Sequence, residues 1–264
     1  MDEFNGLQYE ARGDGEAMLL IHGSHMADAF LPMAQESVLV DRHRLIRYHR
    51  RGFANSQRAP AGFSIEDQAL DALSILDHLG VERAHVVGHS YGAVIAMQLA
   101  LDAADRVRSL ALLDPALLNV PSGAGMMEAI APAGAAYASG DVAAAVDLFL
   151  TIVGGEDWRA ETEAVLPGAP EQAERDGATF FEVELPALGE WAFDVEGAQR
   201  INQPVLSVLG SESGPFFEEG QQQLSAWLPQ TQKVVAPGVN HNMLIQDAAL
   251  VARELAEFLE GSGS

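Results

Sequence analysis

One pentapeptide constrains this chain more than any other feature. Gly88-His89-Ser90-Tyr91-Gly92 closes the apolar run of Val86 and Val87 and leads straight into a helix-forming segment. Strand, tight glycine turn and helix in that order present a serine hydroxyl in the open at the top of a sheet. A serine is a poor nucleophile at its own pKa, so it needs a base beside it and donors for the oxyanion that follows attack. The sharp turn supplies exposure but crowds strand against helix, and Gly88 and Gly92 leave out the side chains that would collide. The amide of Tyr91 then falls in the first helical turn, where it can meet developing negative charge. Ser90 is therefore the first candidate nucleophile.

The surrounding pattern supplies a sheet for that turn. Residues 18–21, 45–48, 84–87, 107–113, 204–209 and 233–235 read as short buried strands. Between 64 and 79 the apolar residues Ile65, Ala69, Ala72, Leu73, Leu76 and Leu79 form a helical stripe that Gly80 stops, with Glu66 and Asp67 favouring its start. Helices are also expected over 91–101, 216–228 and 247–259. Strands alternating with helices imply an α/β fold with a mainly parallel sheet covered on both faces. The rhythm breaks over 116–200, which is rich in Ala, Gly, Glu and Met and carries helical patches such as 142–152. We expect an α/β core from 1–115 and 201–260, a helical cap from 116–200 placed over the elbow, and a linker or tag-like tail at 261–264.

Composition removes several classes. The absence of cysteine excludes disulfides, thiolate metal sites and a cysteine nucleophile, and fits a reducing cytoplasm. A net charge of -23 argues against nucleic acid and anionic membranes. The basic cluster Arg42, Arg44, Arg47, Arg50, Arg51 and Arg58 reads as a solvated edge rather than a phosphate site. No apolar run reaches 18 residues and no secretory signal is visible, so a soluble cytoplasmic chain is expected. The oligomeric state is left between monomer and homodimer.

These pieces together resemble the α/β-hydrolase fold superfamily, in its cap-bearing serine branch of esterases and lactonases. The resemblance rests on His22-Gly23 after the third strand, Arg51-Gly52-Phe53-Ala54-Asn55-Ser56 after the fourth, the elbow after the fifth, and Pro237-Gly238-Val239-Asn240-His241 after the last. It places the cap after the sixth strand and implies His241 as the base. It also implies a second oxyanion donor at the amide of Ser24, with Gly23 as the fallback, beside that of Tyr91. His22 would organise its loop, His89 would face away from the serine, and His43, His49, His78 and His85 would sit beside surface segments. The usual acid slot departs from the pattern, because Gly210-Ser211-Glu212-Ser213 carries serine where aspartate is expected. Asp114, closing the apolar run 110–113, is the preferred acid, since a carboxylate there has little other reason to be buried. Glu212 is the alternative acid, and a helix cap before Pro115 is the bland role for Asp114.

The expected reaction is hydrolysis of a carboxylic ester or lactone through an acyl-enzyme, with no metal or organic cofactor. A serine nucleophile sets the chain apart from the superfamily's aspartate-dependent dehalogenases and epoxide hydrolases. Carbon–carbon bond hydrolysis and cofactor-free perhydrolysis use the same residues and stay open, as does a non-catalytic receptor on this fold. His25, Met126, Met127, Phe149, Trp158, Trp191 and Met243 are the expected pocket residues, flanked by Met33, Leu117 and Leu244, so the substrate should be small and fairly apolar.

Overall fold

In the computed structural model, which describes residues 1–262, one sheet runs in the order β1-β2-β4-β3-β5-β6-β7-β8. Its strands are β1 (Asp2–Phe4), β2 (Leu7–Arg12), β3 (Glu16–Ile21), β4 (His43–Tyr48), β5 (Ala84–His89), β6 (Val107–Leu113), β7 (Val205–Gly210) and β8 (Thr231–Ala236). From β4 to β8 every neighbouring pair is parallel, while β1 and β2 add on antiparallel. Helices α1 (Ser37–Val40), α2 (Ile65–His78) and α3 (Tyr91–Asp102) connect the early strands. The segment between β6 and β7 holds α4 (Gly123–Ala138), α5 (Val142–Gly154), α6 (Trp158–Val165), α7 (Ala169–Thr179), a π-helical turn (Phe180–Glu184), α8 (Leu185–Glu190) and α9 (Val195–Ala198). Helix α10 (Pro215–Trp227) precedes β8, and α11 (Met243–Gln246) and α12 (Ala248–Ser262) follow it.

Two-residue periodicity fills two cores at once. On β3, Leu19 and Ile21 enter one core and Met18 and Leu20 the other; on β6, Leu110 and Leu112 oppose Ala111 and Leu113. The first core is closed by α2, α3 and α10, the second by α1 and α12. Each buried aliphatic side chain of this kind is worth about 1.5–3 kcal/mol. The Ser64–Asp67 capping box starts α2, satisfying an otherwise orphaned amide at its N-terminus. Helix α3 has no such cap and is buried from Tyr91 through Ala100, as a helix between the sheet and its neighbours must be.

The chain steps from β3 out to β4 and returns across β3 to β5, so the carboxyl ends of β3 and β5 lie side by side where the winding reverses. The helical insertion packs into both cores, through Ala187 and Leu188 on one side and Phe149, Trp158 and Phe180 on the other. Two expectations change here. Gly261 and Ser262 continue α12 rather than forming a tail, and residues 263–264 of that expected tail lie outside the described residues. The first two strands are additional to the sequence reading; Asn5 and Gly6, both at positive φ, turn β1 into β2. Among the described residues no helix is long and apolar enough to cross a membrane.

Candidate active site

Ser90 stands between β5 and α3 with φ 55° and ψ -121°, a conformation that costs energy for a residue with a Cβ. Its amide donates to Leu113 O at 2.9 Å, which extends the β5–β6 ladder into the turn. Neither flanking glycine can change. A Cβ on Gly88 would stand 2.3 Å from Gly92 O, and one on Gly92 would stand 2.1 Å from Ile21 O. Tyr91 is the first residue of α3, so its amide has no carbonyl one turn back to bind.

The loop after β8 carries His241 to the carboxyl end of β6. His241 Nδ1 lies 3.2 Å from Asp114 Oδ2, with the carboxylate fully buried. Two further donors reach Asp114: the Gly210 amide at 3.2 Å and the Ser213 hydroxyl at 2.5 Å. Both point their hydrogens at the carboxylate and fix its orientation toward His241. Ser213, standing where the sequence pattern expects an aspartate, thus donates to Asp114. Glu212 is exposed, and only its backbone amide is engaged, with Val239 O. No helix starts at Asp114 for it to cap, because α4 begins only at Gly123; Asp114 instead sits at φ 43°.

The His241 ring lies between two others. Phe217 stacks on it at 4.1 Å and 15°, and His89 lies against it at 4.6 Å while hydrogen bonding His241 O through Nε2 at 2.9 Å. A carbonyl only accepts, so His89 Nε2 carries the proton, and burial holds this imidazole well below its ordinary pKa. His89 thus braces His241 and lines the cleft at Ser90, where the sequence suggested that it faces away.

The loop after β3 approaches from the other side. A Cβ on Gly23 would come 3.0 Å from Ser90 Cβ, so any larger residue would press the two loops apart by a few tenths of an ångström. Gly23 O accepts from His22 Nδ1 at 2.7 Å and from Arg50 Nη2 at 2.8 Å, while His22 Nε2 accepts from the Arg50 amide at 3.0 Å. Those two bonds fix the His22 tautomer, and burial keeps its pKa well below the ordinary value. No intramolecular acceptor is recorded for the Ser24 amide among the described residues.

Two narrow clefts meet at Ser90, with free volumes of about 30 and 40 Å³. Ser24, Ser90, Phe149 and Val153 line both. The first adds Trp158, His241, Asn242 and Leu244; the second adds Tyr91, Met126, Met127, Leu188 and Phe217. No Lys or Arg lines either one.

Three expected pocket residues lie elsewhere. His25 is wrapped by Phe149, Phe180 and Phe181, with no hydrogen bond of good geometry at either nitrogen, and burial pulls its pKa to about 3 although the Ala173 backbone acts the other way. Trp191 stacks on Phe193 and donates to Gln98 of α3, away from both clefts. Met243 is buried in the core, where the helical turn that follows His241 directs it, leaving Leu244 at the cleft. His49 and His85 are buried rather than superficial, bonded to Asp28 and to Ser109 and Glu16. The basic cluster is a solvated edge only in part: Arg42 and Arg58 are exposed, whereas Arg47 pairs with Glu10 and Asp28, Arg51 with Asp71, and Arg50 is fully enclosed. Among the described residues no three His, Asp or Glu side chains gather where a metal ion could be held.

The profile of the alpha/beta hydrolase fold matches residues 16–164, more than half of the chain. A relative from Variovorax paradoxus named carbamate hydrolase RutD is 42% identical over 111 residues, which span 41% of this chain and 42% of that protein's length. The 2-hydroxymuconate semialdehyde hydrolase of Pseudomonas putida is 27% identical over 94% of this chain and 88% of its own. Among solved structures, the enol-lactonase from Burkholderia xenovorans LB400 superposes with a TM-score of 0.78 at 22% identity, covering 96% of each chain.

Proposed function

The chain belongs to the alpha/beta hydrolase family, and from that premise we propose that it is a hydrolase that cleaves a small, fairly apolar carboxylic ester or lactone through an acyl-enzyme on Ser90. The observation that carries this reading is the 3.2 Å contact between His241 and a buried, triply hydrogen-bonded Asp114, in a cleft that His241 shares with a serine held at positive φ. His241 takes the Ser90 proton as the hydroxyl attacks the carbonyl, and later returns it to the leaving alcohol. Asp114 holds the imidazole in one tautomer and stabilises the imidazolium. The amides of Ser24 and Tyr91 receive the oxyanion. Water then repeats the sequence on the acyl-enzyme. The insertion 116–200 acts as a cap that excludes solvent from this chemistry.

Clefts without a cationic side chain support an uncharged substrate, and this separates the reading from carbon–carbon hydrolysis of an anionic diketo acid. The test is proton release in a pH-stat over short-chain esters, aromatic esters, macrocyclic lactones and carbamates, with Ser90→Ala alongside. Ester or lactone turnover that disappears in the variant supports the proposal. Turnover that survives Ser90→Ala, or silence of the folded wild type on the whole panel, overturns it.

A further inference from the structure

Arg50 is a buried cation that the proposed chemistry leaves without a task. Its guanidinium donates to His22 O through Nε at 3.0 Å, to Gly23 O through Nη2 at 2.8 Å and to Gln68 Oε1 through Nη1 at 2.9 Å. It lies over the rings of Phe53 and Tyr91, at 4.7 and 5.1 Å from their centroids. Gln68 in turn donates to the Tyr91 hydroxyl at 2.8 Å. One planar fork therefore touches both residues on which an oxyanion depends: the peptide that ends in the Ser24 amide, and the side chain of Tyr91.

The geometry of the peptide unit gives these contacts a direction. Gly23 C=O and Ser24 N–H belong to one planar trans group and point opposite ways. Pinning the carbonyl between Arg50 Nη2 and His22 Nδ1 aims the amide away from the guanidinium. A cation at the carbonyl oxygen also polarises the group and makes its N–H a better donor.

The charge is balanced from the helical insertion. Arg50 Nη1 lies 2.5 Å from Oε1 of Glu184, whose carboxylate is as deeply buried and makes no hydrogen bond of good geometry. Glu184 ends a π-helical turn, a distortion that often marks a functional position. We infer that Arg50 is a positioning residue for the oxyanion pocket, and that Glu184 holds it in register only while the insertion is seated on the core. The inference rests on the acyl-enzyme reading above.

The test compares Arg50→Met, Glu184→Gln and the double variant Arg50→Met/Glu184→Met, using p-nitrophenyl butyrate hydrolysis, a fluorophosphonate probe and thermal unfolding. Losing an oxyanion donor outright costs about 10²–10³ in kcat, and a misaimed donor should approach the lower figure. For Arg50→Met we expect kcat and the labelling rate to fall together by about 10²-fold, with KM within about threefold, because the carbonyl becomes an oxyanion only during reaction. Glu184→Gln keeps the shape and should lose about tenfold in both rates. In the double variant the buried pair is replaced by apolar side chains, a change that is often neutral or stabilising. It should therefore melt near the wild type while staying as slow as Arg50→Met. Recovery of both stability and rate in the double variant would reduce the pair to a structural role and overturn the inference, as would a wild-type rate in Glu184→Gln. A wild type that the probe does not label overturns the acyl-enzyme reading itself, and this inference with it.

Discussion

Both ends of the central sheet bring a serine, a histidine and a carboxylate together. At the carboxyl end, His241 Nδ1 lies 3.2 Å from Asp114 and shares a cleft with Ser90. At the amino end, His85 Nδ1 lies 2.8 Å from Ser109 Oγ and its Nε2 lies 3.2 Å from Glu16. By side-chain hydrogen bonds alone the second set is the more complete. What differs is presentation. Ser109 sits inside strand β6, paired with His85 just past a register shift and 2% exposed, so a substrate carbonyl has no approach to its hydroxyl. Ser90 is lifted out of its strand by a positive φ and followed at once by a helix N-terminus. The acids differ in the same sense: Asp114 is enclosed by donors, while the Glu16 side chain is 54% exposed and shared with Arg108. Connectivity among three side chains is common; a turn that delivers one of them to a cleft is rare.

The comparison can be broken most directly at the two serines. Ser90→Ala should lower kcat by about 10⁵–10⁶-fold, as removal of a nucleophile that works as a unit with its base does, while Ser109→Ala should leave kcat within about twofold. A comparable loss in both would return the amino-end set to consideration. Next come the acids. Asp114→Asn should cost about 10⁴ in kcat, and Glu16→Gln essentially nothing. Glu212→Gln should also be silent; a collapse there would move the acid one loop along.

Smaller effects sharpen the contrast. Ser213→Ala withdraws one donor from a buried carboxylate, so we expect a loss of about 2 kcal/mol in unfolding free energy and a modest fall in kcat. Both can be read from one preparation by denaturant titration and initial rates. The last prediction concerns pH. Burial, with help from His43 and Arg108, lowers the pKa of His85 below 6.5, against the pull of Glu16. The unfolded chain then takes up a proton near pH 6.5 that the folded chain resists. The stability so contributed is complete above pH 6.5 and is lost as pH falls through the folded value. Glu16, whose pKa is lowered chiefly by its bond to His85, acts in the same direction at lower pH. His85→Gln should therefore flatten the decline of Tm between pH 7.5 and 5.5; an unchanged slope would sink the assignment.

The central layers were legible because their strands are buried on both faces and read as unbroken apolar runs, as 107–113 does. Strand β2 was not read, although Leu7, Tyr9 and Ala11 alternate with Gln8 and Glu10 after an Asn-Gly turn, a hairpin signal plain in retrospect. Around Ser90, residues fixed by backbone geometry were readable: the two glycines declare themselves, and Asp114 stands out as a charge closing an apolar run. Residues fixed by packing were not. Trp191 and Met243 are apolar and near the right part of the chain, but which way a helix turns them depends on crossings that no local pattern encodes. Arg50 was hidden for a related reason. In sequence it is one of several arginines, and only the fold separates it from its half-exposed neighbours.

The backbone at the candidate nucleophile and its candidate acid sets an order of events. The positive φ of Ser90 is held by a bond to Leu113 O on β6, and that of Asp114 by a bond to Val208 O on β7. On the ribosome, β7 emerges only after the whole helical insertion has been made. A nascent chain thus carries the complete elbow long before it carries the strand that sets Asp114 in place, so on the proposed mechanism acyl transfer waits for β7 and for the His241 loop that follows β8.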